Sequence, residues 1–197
     1  MVQTIINDDA LTQAIFETFR KYGYEGTSIV LLSAQTGLKK SSLYHRFPAG
    51  KEEMAKTAVR YMQTQIQQKM IVPLLSKNVL PETRFATLIE NLQQYFADGA
   101  KNCLLGVLSI GEDKPEIQQQ LNVIYDAFLY ALEKLAQEVG MDSTEAKLWS
   151  ERFLILLEGA LVIQRLTKNK TMFIQQMQFE QQQFNQRLAA SASEKTR

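Results

Sequence analysis

One short run in this chain has residue types and spacing that could do chemistry: Lys39-Lys40-Ser41-Ser42-Leu43-Tyr44-His45-Arg46. Leu43 and Phe47 stand four apart and mark the inner side of a short helix. That leaves Lys39, Lys40, Ser41, Ser42, Tyr44, His45 and Arg46 outside it or at its N-terminal end. Lys and Arg neutralise phosphate, small hydroxyl residues permit close approach, and Tyr44 and His45 can reach a phosphate or a base edge. This is the equipment of a helix that enters a DNA major groove.

The elements that must position this helix are also legible. Thr27 or Ser28 can cap a preceding short helix whose inner positions are Ile29 and Leu32, and the start of that helix offers backbone N–H groups to phosphate. Gly37 allows a tight turn with positive φ between two crossed helices, and Leu38 can plug the turn into the core. Lys51 begins the next helix after Phe47-Pro48-Ala49-Gly50 and can clamp the backbone, which predicts binding that depends strongly on salt. A bland alternative stays open on these residues alone. A Gly turn between short helices occurs in many all-α proteins, and Lys-Lys is often just a solvated face.

The rest of the composition narrows the classes. The 197 residues carry 22 Lys or Arg against 21 Asp or Glu, so any basic surface must be local. It is local: residues 27 to 60 hold six basic side chains and two acidic ones. One Cys excludes an internal disulfide, and one His excludes a multi-His metal or catalytic centre. No Gly-rich phosphate loop follows a strand, and no acidic pair recurs at metal-binding spacing, so neither an enzyme nor a metal or cofactor site is expected. The opening MVQTIINDDALTQAIF is acidic where a signal peptide would be basic, and Phe153–Leu157 is far too short an apolar run to cross a bilayer. A cytoplasmic protein without a membrane segment is expected.

The periodicity is helical throughout, which predicts an all-α fold. Leu11, Ala14, Ile15, Phe19 and Tyr22 form one stripe closed by Gly23; Phe85, Leu88, Leu92 and Phe96 form another closed by Gly99. Ile117 to Leu135 make a third, ending near Gly140, and Asp142 or Ser143 can cap the next helix. Two more helices are expected, over 144–168 and 169–188.

Segment 11–60 resembles the N-terminal DNA-binding domain of the tetracycline-repressor-like (TetR) family. The matching residues run Ala14…Phe19…Gly23-Tyr24…Thr27-Ser28-Ile29…Leu32-Ser33…Thr36-Gly37-Leu38-Lys39-Lys40-Ser41-Ser42-Leu43-Tyr44-His45-Arg46-Phe47…Lys51-Glu52-Glu53-Met54. Ser33 and Thr36 stand where the family more often has Ala, and Gly50 lengthens the turn before Lys51. Asn102–Ser109 and Leu157-Glu158-Gly159-Ala160 resemble a branch containing multidrug-export repressors and electrophile sensors. The resemblance implies about nine helices: a three-helix helix-turn-helix domain over 1–50, continuous with an effector-binding and dimerisation domain over 51–197. It also implies a homodimer on double-stranded operator DNA, released when a small-molecule effector moves the helix that starts at Lys51.

Under that resemblance, Phe153, Leu157, Leu161, Phe173, Met177 and Phe184 are the expected dimer interface, with filling of the chain's own core as the alternative. Tyr61, Phe85, Leu88, Leu92, Phe96, Leu104, Leu108, Phe128 and Trp149 are candidates to line an apolar effector pocket. Cys103 joins them as a thiol beside Lys101 near a helix start, a setting suited to an electrophile or oxidant sensor, or else an inert thiol packed under Leu104. The effector expected is hydrophobic or electrophilic. An effector-independent architectural or interaction protein is the other functional class compatible with the same helix pair.

Overall fold

The computed structural model describes residues 7–110 and 114–195, with side chains as far as 191. Residues 1–6 of the expected first domain, and 111–113 and 196–197 of the second, lie outside the described residues. The protein is all-α; among the described residues there is no strand. The helices are α1 (Asp8–Tyr22), α2 (Ile29–Thr36), α3 (Lys40–Arg46), α4 (Lys51–Ile66), α5 (Val72–Leu74), α6 (Pro81–Phe96), α7 (Leu104–Leu108), α8 (Pro115–Glu138), α9 (Ser143–Thr167) and α10 (Met172–Lys195). A π-helical turn over Gln67–Ile71 joins α4 to α5, so 51–74 is one helical run and the described residues form nine helices, as expected.

Two compact units form. The first takes residues up to Thr64 together with Cys103–Asn122; the second takes Gln65–Asn102 and the chain from Val123 onward. The change of unit falls inside α4, whose Met54, Ala55, Ala58, Val59 and Met62 are buried. The first unit also recruits α7, which packs on α1. Lys56 adds an ion pair to Glu116, beside its pair with Glu52 at 2.8 Å. These partners hold the Lys56 ammonium above its usual range, with Glu116 the larger cause.

Local chemistry sets the helix ends. The Asn7 side chain accepts from the Ala10 N–H at 2.7 Å and caps α1, with Asp8 and Asp9 in the first turn favouring the positive end of the helix. Asp142 caps α9 in a full capping box with Glu145. α6 ends two residues before Gly99: Ala97 takes the left-handed conformation at its C-cap. α10 continues beyond 188 to Lys195, through a run of Ala, Ser and Glu that contains no helix breaker.

The second unit is built on aromatic packing. Phe85 of α6 meets Phe184 of α10 at 4.4 Å, and Trp149 and Phe153 of α9 at 5.5 Å each. Arg84, next to Phe85, is buried; it donates to the Leu74 carbonyl at 2.7 Å and pairs with Glu138 of α8. α9 and α10 form an antiparallel pair whose contact side includes Phe153, Leu157, Leu161, Phe173, Met177 and Phe184, all buried within the single chain. The six residues expected to form the dimer interface thus fill this chain's own core. α9 has a second apolar side, exposed at Leu148, Ile155 and Leu166.

Glu180 lies on that same buried side of α10. It accepts from Arg152 at 3.1 Å and from Gln176 at 3.1 Å, yet burial outweighs both and pushes its carboxyl above the usual range. A carboxyl raised in the folded state favours folding while protonated. That contribution is full below its unfolded pKa and is lost as pH rises through the raised folded value. Urea denaturation across a pH series should show this loss in the wild type and not in Glu180→Gln, which is neutral at every pH. Superimposable pH profiles would show that Glu180 is not the group responsible.

Candidate nucleic-acid interface

The helix pair α2–α3 is built from its inner side outward. Leu32 of α2 and Leu43 of α3 are fully buried; each such side chain contributes about 1.5–3 kcal/mol of burial free energy. The Ser28 hydroxyl accepts from the Leu31 N–H at 3.1 Å and caps α2. Gly37 ends α2 with φ 70° and ψ 2°, in the left-handed region. An added Cβ there would meet nothing within 4 Å, so backbone conformation and not space requires glycine.

Ser33 and Thr36 have a role that the sequence did not reveal. The Ser33 hydroxyl donates to the Leu38 carbonyl at 2.6 Å. The Thr36 hydroxyl donates to the Leu32 carbonyl at 2.7 Å and accepts from the Leu38 N–H at 3.3 Å. The turn between the helices is therefore locked from both sides by hydroxyls, where alanine could offer neither bond. Ser or Thr within a few residues of a turn glycine was the available signal.

On the outer side, Lys39, Lys40, Ser41, Tyr44, His45 and Arg46 are exposed, and Ser42 is half-buried. Seven of the ten predicted DNA-facing residues thus lie together on or beside α3. Arg46 also pairs with Asp8 at 2.8 Å, which fixes its guanidinium near the start of α1. Ser28 stays exposed at the α2 start. Thr27 is a correction: it is buried, and its hydroxyl donates to the Gly23 carbonyl at 2.6 Å, so it braces the turn and is withdrawn from the surface.

Lys51 stands over the Tyr24 ring, 4.2 Å from its centroid, and Lys114 stands 5.2 Å from the same ring. The cation–π contact steers the ammonium of Lys51 at the head of α4. Lys114 is the functional candidate that sequence reading missed. It lies far along the chain, and only the inclusion of 103–122 in the first unit brings it to Tyr24.

The ten candidate effector residues divide between the units. Tyr61, Cys103, Leu104 and Leu108 belong to the first, where Tyr61 packs on Phe16 at 5.0 Å and Leu104 is buried. Cys103 is half-buried at the N-cap of α7. Phe85, Leu88, Leu92, Phe96, Phe128 and Trp149 belong to the second. There, Phe85 and Trp149 pack against Phe153 and Phe184, and Phe96 packs against Phe173 at 5.8 Å. Within the second unit, Phe85, Phe96 and Trp149 of the expected pocket lining meet Phe153, Phe173 and Phe184 of the expected dimer interface in one core.

No group of three or more His, Cys, Asp or Glu side chains among the described residues could hold a metal ion. No helix among them is long and apolar enough to cross a membrane.

The α2–α3 pair, joined at Gly37 and exposing the basic side of α3, has the geometry of a helix-turn-helix. Residues 11–58 match the family model of bacterial regulatory proteins, tetR family. The chain is 25% identical over 168 residues to the HTH-type transcriptional regulator LmrA of Bacillus subtilis, covering 83% of this chain and 88% of that one. In fold it resembles a TetR transcriptional regulator from Legionella pneumophila, with a TM-score of 0.78, 18% identity, and 91% and 98% of the two chains covered. It also resembles a regulatory protein TetR from Rhodobacter sphaeroides, with a TM-score of 0.76, 17% identity, and 88% and 96% covered. Residues 11–58 thus match the family's N-terminal model, and over most of its length the chain shares the fold of these regulators.

Proposed function

We propose that this protein is a one-component transcriptional repressor that binds a palindromic operator as a homodimer and is released by a small hydrophobic or electrophilic effector. The observation that carries the reading is the exposed cationic side of α3, held by Leu43 and the locked Gly37 turn. Such a regulator works in the cytoplasm, where its DNA is. Selection from a random duplex pool tests it. Enrichment of two inverted half-sites one helical turn apart is the expected result. A single half-site, or no motif, would contradict a dimeric operator reader.

The homodimer is supported by the second apolar side of α9. Leu148, Ile155 and Val162 recur every seven residues, with Leu166 four further on; Leu148 is 61%, Ile155 70% and Leu166 74% exposed. A stripe of this kind on one long helix suits the self-complementary contact of a two-fold dimer. Phe179 of α10 is also exposed. Ile155→Glu combined with Leu166→Glu should convert the dimer to a folded monomer by light scattering. A double variant that remains dimeric would place the interface elsewhere.

Release by an electrophile is assigned to Cys103, which is half-buried and so open to reagents. In a DNA-release assay with N-ethylmaleimide, Cys103→Ser should stay bound where the wild type dissociates. Equal release of both would make Cys103 a packing residue. The close packing of Phe85, Trp149, Phe153 and Phe184 favours a second reading, effector-independent DNA binding. Under it, no compound in a hydrophobic panel would change DNA affinity.

A further inference from the structure

A half-open cleft of about 480 Å³ lies in the second unit, between the loop that follows α6 and the C-terminal end of α9. It includes none of the residues that the sequence nominated for a ligand. Among the described residues, three that are not glycine have positive φ: Ala97 at 47°, Asp98 at 53° and Lys168 at 58°. All three line this cleft. Ala97 and Lys168 are ordinary left-handed C-caps of α6 and α9, whereas Asp98 prolongs that conformation into the loop and must be held there by its surroundings.

The surroundings here do so. Gln164 of α9 is buried; its amide donates to the Asp98 carbonyl at 2.8 Å and its oxygen accepts from the Phe173 N–H at 2.9 Å. A Cβ on Gly99 would stand 2.5 Å from the Gln164 amide nitrogen and 2.6 Å from the Phe173 Cβ, so the loop is pressed directly onto α9 and α10. The cleft therefore has a fixed wall and not a mobile one.

The charge on this wall is one-sided. Arg165, Lys168 and Lys170 line the cleft against the single acid Asp98. Arg165 donates to the Asn102 side chain at 2.8 Å, which holds its guanidinium beside the loop. The C-terminus of α9 supplies the equivalent of about half a negative charge. One cation answers that, and three are present. The volume falls in the range of about 300–1,000 Å³ typical of small-molecule sites, and a bare inorganic ion would leave most of it unfilled.

We infer that this cleft binds a small organic anion, its carboxylate or phosphate head held by Arg165, Lys168 and Lys170 and its apolar body resting on Ala97 and Ala100. The inference stands apart from the regulatory reading, because its test uses the full chain without DNA.

Benzoate, phenyl phosphate and neutral benzamide are titrated into the protein by calorimetry. Saturable binding of benzoate or phenyl phosphate, without binding of benzamide, is the expected result, and the tighter of the two names the head group. Arg165→Gln and Lys168→Gln should each weaken it by about tenfold, since each removes a charge-assisted contact. Both residues are exposed, so folding should survive; Lys170→Gln serves if either variant fails a melting control. No saturation by either anion up to about 10 mM would overturn the inference. So would benzamide binding as tightly as benzoate, or variants that bind the anion like the wild type.

Discussion

If the proposed repressor reading holds, Lys40→Ala should weaken operator binding by about thirtyfold at low salt, while the urea midpoint of the variant should stay at the wild-type value. Lys40 is the first residue of α3 and is exposed, so its side chain contributes little to the fold. Removing a solvent-accessible ammonium–phosphate contact costs on the order of 1 kcal/mol, and a dimer loses two of them. A loss of about 2 kcal/mol is close to thirtyfold in affinity. The salt dependence must change with it. Each phosphate contact contributes about 0.9 to the slope of log affinity against log salt, so the slope should become shallower by about two for the dimer. The loss should also be nearly uniform across DNA sequences, because phosphate contacts position and do not specify. A loss confined to the operator would make Lys40 a base-reading residue; unchanged affinity would move the recognition surface away from α3.

The second large effect is on stability. Phe85→Ala should lower the unfolding free energy by about 3–5 kcal/mol, measured by urea denaturation at fixed protein concentration. Phe85 is fully buried, and its ring contacts three aromatic residues drawn from α9 and α10. Neither long helix can move to fill the hole without giving up its packing on the other. Domains of this size are stable by only about 5–15 kcal/mol, so the variant should lie near the edge of folding. A loss below about 1 kcal/mol would mean that the site collapses easily or is already a hollow, and it would return Phe85 to the candidates for an effector pocket.

The parts of this fold that were legible in the sequence are those decided within a few residues. Ser28 and Asp142 cap helices because their side chains reach backbone N–H groups two or three positions on. Gly37 turns the chain because no other residue enters its conformation as cheaply, and Leu32 and Leu43 point inward by simple periodicity. The exposed basic side of α3 follows as their complement.

What was not legible depends on partners remote in the chain. α9 is apolar on two sides, and periodicity alone cannot say whether Phe153 and Leu157 or Ile155 and Val162 face the chain's own core. The same blindness applies to Phe85 and Trp149, since a stripe that lines a cavity and one that fills a core have identical spacing. Thr27 is a hydroxyl at a helix start, as a phosphate contact would be, but its bond to Gly23 turns it inward. Lys114 reaches Tyr24 only because α7 and the start of α8 join the first unit. Ala97, two residues before Gly99, ends α6 in the left-handed conformation that local preference would assign to the glycine.

The central claim is that the basic side of α3 reads DNA. Its most direct test is a fluorescence-anisotropy titration of the wild-type protein, at several salt concentrations, against the selected duplex and a scrambled duplex of equal length. The account predicts tight binding to the selected sequence, weaker binding to the scrambled one, and a linear fall of log affinity with log salt for both. Equal affinity for the two duplexes, or affinity indifferent to salt, would contradict it.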